Sequence, residues 1–280
     1  EYFEEYKKIP QYKLLNSNMT IGEFKIIFYW EYFHRILARL IGLFFLLPLI
    51  YFYFSKKIRS NYINICFLIS LLIILQGIIG WFMVQSGLVN DITVSHYRLS
   101  IHLSTAIIII SLIYWLIMNA YNKKNKTFFT YSKHNLPFQI LIILIFLQII
   151  MGAFVSGLDA GKIYQTWPMM DGNYFPNDYF FINFKSLFEL DNHSLVQFYH
   201  RNLAYLIIIY LIFLTIFIYK KKMHNLYFPL GVLLFFLFFQ VILGIFTLIT
   251  GLNIYLASAH QITSVFLVFG ALNLYYYRAK

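Results

Sequence analysis

Charge is what this sequence has least of. Only 12% of its 280 residues are charged, against about a quarter in a typical soluble domain. With 60% hydrophobic and 21% aromatic residues, the chain cannot cover a water-facing surface and belongs in lipid. Its apolar runs are too long for a disordered segment. Cysteine is nearly absent: Cys66 stands alone inside an apolar run. No intramolecular disulfide can form, so cysteine usage says nothing about compartment. Acidic residues are scarce too, and the formal net charge of +11 raises the question of nucleic acid. The basic residues, however, sit in short clusters between apolar stretches. That is the pattern of membrane-protein loops rather than of a basic binding face, and no nucleic-acid partner is expected.

What is present is a series of apolar runs long enough to span a bilayer, each about twenty residues. Seven qualify: 28–54, 63–84, 97–118, 136–155, 195–219, 226–247 and 254–277. Helices satisfy their own backbone groups, as lipid demands. The segments after the first, third, fifth and seventh runs carry Lys56, Lys57 and Arg59, then Lys123, Lys124, Lys126 and Lys133, then Lys220, Lys221 and Lys222, and finally Arg278 and Lys280. None of these segments contains an acid. The acids, including Asp91, Asp159, Asp171, Asp178, Glu189 and Asp191, fall on the opposite side. The basic side is therefore expected to face the cytoplasm or the mitochondrial matrix.

The runs repeat. The first begins Glu31-Tyr-Phe-His34-Arg35 and the fifth Gln197-Phe-Tyr-His200-Arg201. The second holds Gln76-Gly77-Ile-Ile-Gly80 and the sixth Gln240-Val-Ile-Leu-Gly244; the third carries His102 and the seventh His260. Two parallel copies of one three-helix unit result. The fourth run, whose end from Gln148 to Leu158 resembles the ends of the second and sixth, has no partner. A matching helix before the first run would complete two four-helix halves, and the chain starts with Glu1 rather than Met. The expected fold is all-α: a polytopic membrane protein of two pseudo-symmetric four-helix bundles, residues 1–135 and 136–280, with one helix expected upstream of residue 1. The alternative is a seven-helix protein with one unpaired linker helix.

Of eight histidines, His96, His134, His193 and His224 fall in loops and read as solvated. His34, His102, His200 and His260 each lie in the outer third of a span, at matched places in the repeat. An imidazole in lipid is costly unless it is hydrogen-bonded or coordinates a metal. Two facing imidazoles can take both axial positions of one haem iron. Zinc would want more ligands clustered together. Gly77, Gly80, Gly87, Gly152, Gly157 and Gly244 would admit a flat ring or simply a neighbouring helix. Arg35 and Arg201 follow ligand candidates and suit haem propionates, and Arg98 is similar, with surroundings that say less; Arg39 reads as an anchor at the membrane interface.

The halves differ at one place. Glu31 lies a turn from His34 on one helical face, and its counterpart is Gln197, which cannot ionise. A carboxylate at the membrane edge is costly and usually functional, although pairing with Arg35 or Lys25 is the plain alternative. The first half thus reads as a reaction site and the second as a site that holds a haem without reacting on it. The long segment from Gly157 to Gly172, with Trp167 and Pro168, suits an ordered interfacial lid. Residues 1–25 are its candidate counterpart in the first half.

These residues resemble the haem A synthase family, in its mitochondrial and alphaproteobacterial branch. Tyr6-Lys-Lys-Ile-Pro10-Gln-Tyr-Lys13, with Asn16, Met19 and Glu23-Phe24-Lys25, looks like that family's first outer loop. Glu31-x-x-His34-Arg35 resembles its Glu-x-x-His-Arg motif. Gly157-Leu-Asp159-Ala-Gly161-Lys162-Ile-Tyr and Pro168-Met-Met-Asp171-Gly172 resemble the loop before its sixth helix. The family has eight helices. The resemblance implies that His200 and His260 are axial ligands of a haem b, that His34 and His102 bind the substrate haem, and that Glu31 is the catalytic carboxylate. The implied reaction oxidises the C8 methyl of haem O to the formyl group of haem A through two hydroxylations and loss of water, for cytochrome oxidase. The loop cysteine pairs of some members are missing here, which argues against a thiol mechanism. Expected partners are haem O, haem O synthase, an electron-transfer protein, the bilayer and, as an open question, a second copy of the chain. The expected location is the bacterial inner membrane or the mitochondrial inner membrane, with the haem sites towards the outer side. The rival reading is a di-haem b electron-transfer protein, which leaves Glu31 unexplained.

Overall fold

The computed structural model describes residues 1–89, 94–179 and 184–279. Asp91 and Lys280, counted in the charge pattern above, lie outside them. Among the described residues there is no strand, and seven helices are long and apolar enough to cross a membrane. They are α3 (Ile21–Phe54), α4 (Ser60–Val89), α5 (His96–Tyr121), α6 (Leu136–Gly157), α7 (His193–Lys220), α8 (Tyr227–Ile249) and α9 (Ile254–Arg278), preceded by the short α1 (Tyr2–Tyr6) and α2 (Pro10–Leu15). The protein is an all-α integral membrane protein.

Six of the seven helices start within about three residues of where the apolar runs predict, inside the usual uncertainty of helix ends. α3 starts seven residues early, because its first turn is polar. Thr20 and Glu23 form a capping box: the Glu23 amide donates to Thr20 Oγ1 at 3.3 Å and the Thr20 amide to Glu23 Oε2 at 2.8 Å. Asn192 and Asn253 cap α7 and α9 without a reciprocal bond, accepting from Leu195 N at 2.9 Å and Tyr255 N at 3.0 Å. At the other ends, α3, α5 and α7 each stop on a lysine in the left-handed region: Lys56 (φ 55), Lys123 (φ 53) and Lys222 (φ 50). Each is followed by an amide reaching back five residues, at 3.0 to 3.1 Å, to a carbonyl of the last turn. Glycine is the usual residue there. Lysine accepts the strained backbone and sets its charge against the negative end of the helix.

The chain forms two compact units, Glu1–Leu112 and Ile113–Lys280, whose boundary falls inside α5. In the first unit α3 lies along α4, and α1 and α2 bring Phe3 and Tyr6 to 5.0 and 5.1 Å from Phe24. α3 exposes Trp30, Phe33, Phe44 and Phe54, a row that suits lipid rather than water. In the second unit α8 runs along α9, and α6 packs against both α7 and α9. Leu141, Ile145, Leu211, Leu214, Leu233 and Leu272 fill its core. At the basic end of this unit Trp115 stacks on Tyr275 at 5.3 Å and donates its indole N–H to Lys126 O at 2.8 Å. The Lys126 ammonium in turn caps α9 by donating to the carbonyls of Tyr276, at 2.8 Å, and Ala279.

Candidate functional site

The functional side chains are built on helical hairpins. In the second unit, α6 and α7 form one hairpin and α8 and α9 the next. His200 on α7 and His260 on α9 lie within electrostatic reach of each other. His260 Nδ1 donates to the backbone carbonyl of Gln240 at 3.0 Å. A carbonyl only accepts, so Nδ1 carries the proton and Nε2 keeps its lone pair. On α6, Gln148 Nε2 donates to the His200 carbonyl at 3.0 Å and lies 3.2 Å from His200 Nδ1.

Under each ring sits a glycine at which an added side chain would crowd the imidazole. A Cβ on Gly152 would meet His200 Cε1 at 3.2 Å, and one on Gly244 would meet His260 Cε1 at 2.9 Å. The first unit repeats this once more. Gln76 Nε2 donates to the His102 carbonyl at 3.0 Å, and a Cβ on Gly80 would stand 3.0 Å from His102 Cε1. Glycines expected to admit a flat ring or a helix thus make room for imidazoles. Gly77 faces open space, and Gly87 lies outside the described side chains.

His34 and His102 also lie within electrostatic reach of each other. His34 is exposed on α3, while Nδ1 of His102 is buried without a protein partner. Glu31 accepts from Arg35 Nη2 at 2.9 Å, one turn along the exposed face of α3. The ion pair that the sequence left as the plain alternative therefore exists, and it sits beside a ligand candidate. Arg98 donates to the Phe82 carbonyl at 2.8 Å and lies over the Phe82 ring at 3.8 Å.

In the second unit the positions matching Glu31 and Arg35 do something different. Gln197 Nε2 and Arg201 Nη2 both donate to the carbonyl of Tyr164, each at 2.9 Å. Arg201 Nη1 adds the carbonyl of Thr166 at 2.9 Å. The 157–172 segment is thereby tied to the turn of α7 that carries His200. The Tyr164 hydroxyl reaches back to Asp178 Oδ1 at 2.5 Å, and Ser194 donates to Asp178 Oδ2 at 2.6 Å. The sequence placed Asp178 among the outer acids and Tyr164 in a loop motif, but nothing in it marked their tie to Ser194 and Arg201, because such a tie depends on which backbone carbonyl meets which side chain.

Burial raises the pKa of Asp178, but the hydroxyls of Ser194 and Tyr164 outweigh it and hold the carboxyl below its ordinary value. A depressed carboxyl stabilises the loop above its unfolded pKa and loses that effect only as pH falls through the lower folded value. The protection factors of residues 159–179, exchange corrected for its intrinsic pH dependence, should therefore be flat across neutral and mildly acidic pH and fall only below the ordinary aspartate range. Asp178→Ala should speed local opening roughly tenfold at neutral pH, the worth of about one charge-assisted bond discounted for exposure, with the helices still protected. Unchanged exchange in that variant would mean that the network does not hold the loop.

Two imidazoles make half of a zinc site, and among the described residues no group of three or more His, Cys, Asp or Glu side chains comes together. The donors suit a metal that brings its other ligands with it, as haem iron does. The tautomer of His260 leaves the nitrogen that iron would take, and His102 Nδ1 and the Oε1 atoms of Gln76, Gln148 and Gln240 are buried polar atoms with no protein partner. The residues present fit a haem at each pair. The helices and imidazoles together define a polytopic membrane protein with one histidine pair in each unit. A sequence profile described as cytochrome oxidase assembly protein matches residues 1–272. The chain is 47% identical over 268 residues to the haem A synthase of Pelagibacter ubique, covering 94% of this chain and 77% of that protein. It is 42% identical over 267 residues to the haem A synthase of the Wolbachia of Culex pipiens (95% and 78%), and 36% over 275 residues to that of Flavobacterium johnsoniae (95% and 79%). The chain belongs to the cytochrome oxidase assembly protein family.

Proposed function

We propose that the protein is a haem A synthase that oxidises the C8 methyl of haem O to a formyl group by two hydroxylations and loss of water. The observation that carries this reading is the asymmetry of two otherwise matched sites. Each has a histidine pair, but only His34 has a carboxylate one turn away, Glu31, salt-bridged to Arg35. In this reading His34 and His102 bind the iron of the substrate haem, and residues 1–135 form the substrate half. His200 and His260 hold a haem b in the half formed by 136–280. That haem, when bound, supplies one-electron relay.

Glu31 acts on the reacting carbon. As electrons leave the methyl, positive charge develops there, and a carboxylate can stabilise it or take the proton of an attacking water. Arg35 pairs with Glu31 and aims it along the face of α3. Arg201, matched to Arg35, is committed to the loop through its Nη atoms, and its buried Nε is the atom left for a propionate. Haem O, a source of haem O and an electron acceptor are the partners. The membrane is the bacterial or mitochondrial inner membrane, with both sites towards its outer side, as the lysine placement supports. The di-haem b electron carrier is not favoured, since the relatives at 36–47% identity are haem A synthases.

The test is a chromatogram of haems extracted from cells making the protein beside a source of haem O. Haem A or hydroxylated haem O is the expected product. Haem b alone, with haem O unconsumed, would overturn the proposal.

A further inference from the structure

The 157–172 segment is tied to α7 through Gln197 and Arg201. It also reaches the other hairpin. Gly161, in the buried part of the turn Ala160–Lys162, faces the connection between α8 and α9. An added Cβ there would stand 2.8 Å from Leu252 Cδ2, 3.3 Å from Cδ1 and 3.5 Å from Cγ. The whole end of the Leu252 side chain therefore rests on the glycine. Beside it, an added Cβ on Gly251 would stand 3.6 Å from Gln165 Oε1, so a second residue of the segment covers the same connection.

Leu252 is strained where it sits. Its φ of 64 lies in the left-handed region, which a bulky side chain rarely adopts. Stopping α8 does not require this. Gly251 (φ 71) already ends the helix, with the Leu252 amide donating back to Thr247 O at 2.9 Å. Nor does the local sequence impose it: α6 ends on the same dipeptide, Gly157-Leu158, and Leu158 keeps a φ of −92. A strained backbone persists only where its surroundings over-determine it, and the seat on Gly161 is the surrounding that the end of α6 lacks.

We propose that Gly161 and Leu252 are positioning residues. The 157–172 segment is a strap across both hairpins, and the contact between these two residues sets how closely α8 and α9 approach α6 and α7 at the end that carries His200 and His260. Each histidine lies about two turns into its helix, so a change of lean at the strap reaches the gap between the rings. An iron with two axial imidazoles needs both at bonding distance. Glycine at 161 lets the hairpins close, and a side chain there would hold them apart. This rests on the reading that His200 and His260 ligate a resident haem.

The experiment uses the full-length protein purified with its haem b, and reads two quantities that activity does not enter: the low-spin fraction of the haem, and its rate of loss to apomyoglobin. Gly161→Val should prise the hairpins apart, turn part of the haem high-spin as one ligand is lost, and speed haem loss about tenfold, the lower end for outer-shell partners of a metal. Adding Leu252→Ala makes room for the new side chain. The double variant should regain most of the low-spin haem and lose it more slowly than Gly161→Val. Residues in contact couple in this way, whereas independent lesions add. A double variant that loses haem as fast as Gly161→Val, or faster, overturns the proposal, and so does a Gly161→Val protein with wild-type spectrum and loss rate. If Gly161→Val does not fold, Leu252→Ala decides alone. It should speed haem loss by at least about twofold, the least that coupled contacts show, with the helices still protected from hydrogen exchange, and an unchanged rate overturns the proposal. A wild-type protein with no six-coordinate low-spin haem spectrum would instead defeat the underlying haem reading.

Discussion

Glu31→Gln should abolish haem A formation while leaving the haem b absorption of the purified protein unchanged. Gln is the residue that the second half carries at the matching place, Gln197, so the substitution makes the two halves alike where they differ most. General acid–base catalysis by one side chain is worth about 10²–10⁴-fold, and a loss of at least about a hundredfold in haem A per cell is expected. The fold should survive. Glu31 and Arg35 form an exposed pair, with side chains 59% and 53% accessible, and such pairs contribute at most about 1 kcal/mol. Normal haem A content in this variant, with Glu31→Ala behaving the same, would remove the carboxylate from the chemistry.

His260→Ala should cost the protein its haem b. The substitution removes one of two proposed axial ligands, and haem retention should weaken by more than about a hundredfold, beyond the 10–100-fold typical of outer-shell partners. The purified variant should be almost colourless at wavelengths where wild type shows a low-spin haem. His34→Ala should behave differently: the haem b spectrum persists and haem O is not consumed. If both variants lose the same chromophore equally, the assignment of one resident and one substrate haem to separate pairs fails. An unfolded His260→Ala is distinguished by its circular dichroism, and His260→Met, which can still ligate iron, then decides by the spectrum it gives.

Run length and lysine spacing were enough to read seven helices from the sequence, because lipid allows few alternatives. The apolar count starts α3 seven residues late, because its capping box, Thr20 and Glu23, is polar and leaves no trace in such a count. The histidines were legible through repetition: one imidazole in an apolar helix says little, four at matched places say much. Gln76, Gln148 and Gln240 were visible as marks of the repeat, yet their contacts were not. A glutamine within an apolar helix carries no signal of which neighbour it meets, and only the glycine one turn on, pressed against an imidazole, shows where that face points. The ties from Arg201 and Gln197 to Tyr164 were beyond reach, since a backbone carbonyl has no identity in sequence.

The hairpin construction has a consequence for how damage is distributed. The tilts of His102, His200 and His260 are each fixed by their own pair of helices, through Gly80 and Gln76, Gly152 and Gln148, and Gly244 and Gln240. The gap between rings of a pair is fixed by how one hairpin leans on another. Two independent geometrical variables therefore govern the His200–His260 pair. Lesions inside a hairpin should rotate an imidazole at constant separation, and lesions between hairpins should change separation at constant tilt. Random variants of this protein should accordingly fall into two spectroscopic families rather than a continuum.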